Sequence, residues 1–99
     1  MSANPLRGEV ALKLPGLSLT LRPSFSALVA AEAEGGSLFR MLDRAAAGDV
    51  RLADIGALFW HCGGQAGARA DFEAALLEAG PSGLLGPYRA LLAAIFGRV

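Results

Sequence analysis

The chain of 99 residues is poor in reactive and charged side chains: one cysteine, Cys62, one histidine, His61, one lysine, Lys13, and five Phe, one Trp and one Tyr. Each scarcity closes off a class of function. A lone thiol makes no internal disulfide, which points to synthesis in a reducing, cytosolic compartment. One His beside one Cys leaves no ligand set for zinc, which wants four N, S or O donors. Adjacent residues on a helix also point about 100° apart, so His61 and Cys62 do not face each other as a nucleophile and its base would. Nine basic and nine acidic residues cancel. The charge footprint of a nucleic-acid or anionic-membrane binder is therefore missing. The longest uncharged stretch, Ile55 to Ala68, contains four glycines, His61 and Gln65, so it is too short and too polar to span a bilayer. The opening Met-Ser-Ala-Asn-Pro shows neither the basic leader nor the apolar run of a signal peptide. No cofactor, metal, nucleic acid or membrane is expected to bind.

What the chain does have is apolar surface. Hydrophobic residues make up 54% and charged residues 18%, a composition that folds. Residues 1–99 suit a single domain. Val10, Leu12 and Leu14 alternate with polar or small neighbours, as do Leu17, Leu19 and Leu21 after Pro15-Gly16. This period of two, repeated around a turn dipeptide, predicts an antiparallel β-hairpin over about 8–22. Pro15-Gly16 suits a type II corner, which fits strand twist poorly in a two-residue loop, so a loop of four or five residues is expected.

From Ser24 the period becomes helical through about residue 97, in five short segments. Ser24 and Ser37 are placed as N-caps. Gly35-Gly36, Gly48-Asp49, Gly63-Gly64 and Gly80-Pro81 are placed as stops. The third segment, Leu52 to Cys62, sets Leu52, Ile55, Leu58, Phe59 and Cys62 on one side. The last, Leu84 to Phe96, is apolar over most of its circumference; it starts either near Gly86, with Pro87 in its first turn, or earlier with a kink. It is either the central helix or a helix that another chain completes. The fold class is thus α+β: an N-terminal hairpin followed by about five short helices packed as a small bundle.

Candidate chemistry is sparse. Gly63-Gly64-Gln65-Ala66-Gly67 follows a helix rather than a strand and lacks the lysine of a phosphate-binding loop, so it reads as a break between helices. Glu32, Glu34, Asp43 and Asp54 are expected on solvated faces, and Cys62 as a packed thiol beside a helix-end imidazole. Trp60 falls on the side of its helix opposite Cys62, either as core or as an interface anchor.

Asn4-Pro5-Leu6-Arg7-Gly8-Glu9, the hairpin, Leu21-Arg22-Pro23-Ser24-Phe25-Ser26-Ala27-Leu28, Ala31-Glu32, Gly36-Ser37-Leu38 and Gly48 occur in that order. Over about residues 4–60 the chain resembles the small gene-transfer-agent family of alphaproteobacterial tail proteins. That family is grouped with phage tail assembly chaperones, and some descriptions call its members tail tube proteins. After Gly64 the likeness is one of helical pattern and length. The resemblance implies a non-enzymatic protein of the bacterial cytoplasm. It would bind the tape measure protein or another tail protein while the tail assembles, with homo-oligomers also open. The alternative is a structural tube subunit retained in the particle. From apolarity, Phe59, Trp60, Leu84, Leu85 and Tyr88 are the expected partner-binding residues.

Overall fold

The computed structural model describes residues 8–65 and 67–97. Asn4, Pro5, Leu6 and Arg7 of the family-like opening, and Ala66 of the glycine-rich break, lie outside the described residues. Among the described residues the elements run β1 (Val10–Leu14), β2 (Leu17–Leu21), α1 (Phe25–Gly35), α2 (Leu38–Ala46), α3 (Leu52–Cys62), α4 (Arg69–Ala79) and α5 (Pro81–Phe96). The architecture is α+β, a hairpin laid against a helical bundle.

The strands are antiparallel, pairing Val10 with Leu21, Leu12 with Leu19 and Leu14 with Leu17. That register puts all six apolar side chains on one face of the ribbon, as the period of two requires. Leu12, Leu14 and Leu21 are buried, while Leu17, beside the turn, is 38% exposed. Lys13 projects from the opposite, solvent-facing side. Because Leu14 pairs directly with Leu17, Pro15 and Gly16 alone make the loop. The expectation of a longer loop was therefore wrong. Proline supplies the negative φ of the first corner and Gly16, at φ +72°, the positive φ of the second. The hairpin is anchored by the Arg22 N–H, which donates to the Cys62 carbonyl at 2.8 Å. The end of β2 thereby closes the C-terminal turn of α3.

Both serine caps form. Ser24 Oγ accepts from the Ala27 N–H, and Ser37 Oγ from the Phe39 and Arg40 N–H groups. Glu32 Oε2 also accepts from the Leu38 N–H at 2.9 Å, so α1 helps to cap α2. The last helix begins earlier than expected, at Pro81, with proline at its first position and Pro87 carried inside. Proline at that position loses no helical hydrogen bond.

The helix wrapped by the others is α3 and not α5. Every residue from Asp54 to Phe59 is buried, and one apolar cluster joins α3 to both strands and to all four other helices. Phe59 meets Tyr88 edge to face, centroids 6.2 Å apart. Burying α3 all round also buries Asp54, which is 4% exposed rather than solvated. Its Oδ2 accepts from Arg44 Nε at 3.0 Å and Nη2 at 2.7 Å. This pair ties the end of α2 to the start of α3, across the loop at Gly48.

Removing the carboxylate strands that guanidinium. Asp54→Ala is expected to lower the unfolding free energy by about 2 kcal/mol, less than the roughly 3–5 kcal/mol of a fully enclosed pair, because the Arg44 side chain is 22% exposed. Urea denaturation of the two proteins measures the difference.

Candidate partner-binding groove

The five apolar residues singled out in the sequence separate into two groups. Phe59, Leu84 and Tyr88 are at most 1% exposed, so they belong to the interior, and of the three Leu84 also forms part of the floor of a surface cleft. Large apolar side chains on the inner faces of α3 and α5 look the same in sequence as those on an interface, and here the all-round burial of α3 claims them. Trp60 and Leu85 are half-buried. Trp60 packs against Phe72 at 5.4 Å between centroids, with the Arg69 guanidinium 5.3 Å from its ring. Such a cation–π contact adds about 0.5–1 kcal/mol at a partly exposed site.

The apolar side chains that do face solvent are others: Phe25 at 84%, Leu77 at 72%, Phe39 at 68%, Leu52 at 54% and Val29 at 49%. Phe25 and Val29 sit four residues apart on one face of α1. Leu52 is the first residue of α3, beyond the reach of the helices that wrap the rest, which explains why its place in the apolar stripe did not bury it. Phe39 is exposed yet touches Phe96, centroids 5.1 Å apart. Next to that contact, Leu42, Ala45 and Ala46 of α2 face Leu92 and Ala93 of α5 across an open apolar depression of about 450 Å³.

Leu52 and Leu77 are the lips of a second, more enclosed groove of about 350 Å³ between α3, α4 and the start of α5. Its floor is Ile55, Gly56, Leu76 and Leu84, all buried. Its rim carries Glu34, Arg69 and Glu73. Arg69 holds Glu34 with both arms of its guanidinium, Nη1 to Oε1 at 3.1 Å and Nη2 to Oε2, and its Nε donates to Glu73 at 3.1 Å. The Gln65 amide donates to His61 Nδ1 at 2.6 Å, leaving His61 Nε2–H to donate to Glu34 at 2.9 Å. Five side chains from α1, α3, α4 and the α3–α4 connection thus form one polar brace. The Arg69 hydrogen bonds, with those of His61 behind them, hold the Glu34 carboxyl below its ordinary value against a partial desolvation. His61 is therefore a structural strut.

The remaining titratable groups of interest are inward. Burial pushes the Cys62 thiol up to about 11. The Tyr88 phenol rises to about 12, from burial first and the Asp54 charge second. Among the described residues no three His, Cys, Asp or Glu side chains lie together as a metal site, and no helix is long and apolar enough to cross a membrane. The groove is a surface for apolar side chains with one charged edge.

Over residues 7–98 the chain matches the family described as phage tail tube protein, GTA-gp10, and it belongs to that family. Its members are tail proteins of phages and gene transfer agents. Comparison with curated proteins gives no match, and neither does comparison with solved structures.

Two outcomes follow from the ionisable groups. Glu34 has a lowered folded value, so its contribution is present above its ordinary value of 4.5 and is lost as pH falls through the lower, folded one. Glu34→Gln should flatten the fall in Tm on acidification below about pH 4.5, measured by circular dichroism. Cys62, buried and raised, should resist thiol reagents at pH 8 in the native state and react at once in urea. Rapid native labelling would show that α3 opens.

Proposed function

We propose that this chain is a non-enzymatic tail assembly chaperone that binds the tape measure polypeptide in the bacterial cytoplasm and keeps it soluble until the tube closes around it. The observation that supports this reading is the groove at Leu52 and Leu77. A domain of this size leaves two leucines more than half exposed on either side of a leucine-floored cleft, and such surface is costly to leave in water unless a partner covers it. A helical partner would lay its apolar side chains along the cleft, as amphipathic helices do in hydrophobic grooves.

The second reading is a structural tube subunit, retained in the particle, and the family's own description favours it. The hairpin offers it a means of assembly. In a two-stranded sheet each strand has one edge that no strand of the sheet pairs, and a neighbouring copy can add to such an edge. Against it stands the small share of strand, five residues in each of β1 and β2, a poor basis for a ring closed by sheets.

Particle composition separates the two. A chaperone is expected to be absent from purified tails and to keep the tape measure protein in the soluble fraction when the two are co-expressed. Stoichiometric presence in tails, with ring formation by the purified chain, would establish the subunit instead.

A further inference from the structure

Gly56 is the residue of the groove that the fold itself does not explain. A glycine inside a helix is less stable there than alanine, and a structure usually has a reason for it. Gly35 has one: a Cβ there would lie 3.0 Å from Met41 Cε. Gly56 has helical backbone, and a Cβ built on it meets nothing within 4 Å. Gly83 and Gly86 of α5 are equally unconstrained, but they are exposed, so only their helix propensity is at issue. Gly56 is buried, and the open space above it is the groove. Its missing side chain leaves the cleft deeper at that point of the α3 wall.

The edge of the cleft adds a second requirement. Two carboxylates, Glu34 and Glu73, share the single guanidinium of Arg69, which leaves the rim with one net negative charge. The Glu34 and Glu73 side chains are 38% and 57% exposed, so they are accessible to a cation from outside. Leucine lips, a floor hollowed at a glycine, and an acidic end together describe the complement of one kind of ligand.

We infer that the groove over Gly56 takes an amphipathic helix of a partner chain, which seats one bulky apolar side chain against Gly56 and sets a Lys or Arg beside Glu34 and Glu73. This rests on the chaperone reading, in which that helix belongs to the tape measure polypeptide. Gly56 is then a specificity-determining residue: it admits a large side chain where alanine would admit a smaller one.

The test uses the full chain and synthetic peptides tiling the tape measure polypeptide of the same particle, with binding followed by fluorescence anisotropy. Gly56→Ala should raise Tm by about 3–6 °C through helix propensity while weakening the bound peptide a few-fold. Gly56→Met, which places a side chain in the cleft, should weaken it about 10–100-fold, the usual effect of overfilling a packed site, with Tm no lower than the wild type. Glu73→Gln should weaken it about 2–5-fold and reduce the salt dependence. A variant that folds more stably yet binds less well cannot be explained by misfolding. If the wild-type chain binds no tape measure peptide, the chaperone reading fails and the inference with it. If it binds one and Gly56→Met leaves the affinity unchanged, the chaperone reading stands and the groove assignment is overturned. If Gly56→Met instead abolishes self-association in sedimentation velocity, the occupant is a second copy and the assignment to a different partner is likewise overturned.

Discussion

The structure depends on burying the middle of one helix. From Asp54 to Phe59, α3 exposes almost nothing, and the other elements are arranged to cover it: α1 along its length, the hairpin at its end, α4 and α5 on the far side. That buried middle has no amphipathic face with which to choose its orientation, so other interactions must choose it. The Arg44–Asp54 pair holds its first turn and the Arg22–Cys62 main-chain hydrogen bond its last. Between these two fixed ends the apolar contacts need only be well filled, not directional.

Covering α3 draws part of the aromatic set inward and leaves the rest on the periphery. Phe59, Tyr88 and Phe72 go inward while Phe25 and Phe39 remain exposed, and among the described residues no aromatic side chain lines the groove at Leu52 and Leu77. The cleft opens beside the turn from α4 into α5, between Leu77 and Pro81. The polar brace centred on Glu34 lies at its rim.

Much of this was legible beforehand. The hairpin, the caps at Ser24 and Ser37, and the limits of α1, α3 and α4 follow from period, serine and glycine, which act locally. What was not legible depends on which helix ends up in the middle. Leu52 and Phe59 share a stripe in sequence, yet one is a lip of the groove and the other is core. Asp54 reads as a solvated acid until Arg44, ten residues away, is seen to reach it. Leu84 and Tyr88 look like interface anchors because α5 is apolar nearly all round, and only the placement of α3 turns them inward. Pro87 suggested a later start to α5, since proline within a helix is uncommon, whereas Pro81 had the better position for initiating it.

The solvent side of the ribbon has a practical outcome for anyone mapping contacts of this protein. Lys13 is the sole lysine and stands on β1, so amine-directed cross-linkers that react with side chains will sample the hairpin and leave α3, α4 and α5 silent. Carboxyl-directed chemistry, for which Glu73 and Glu78 are exposed on α4, is the reagent class suited to the helical half.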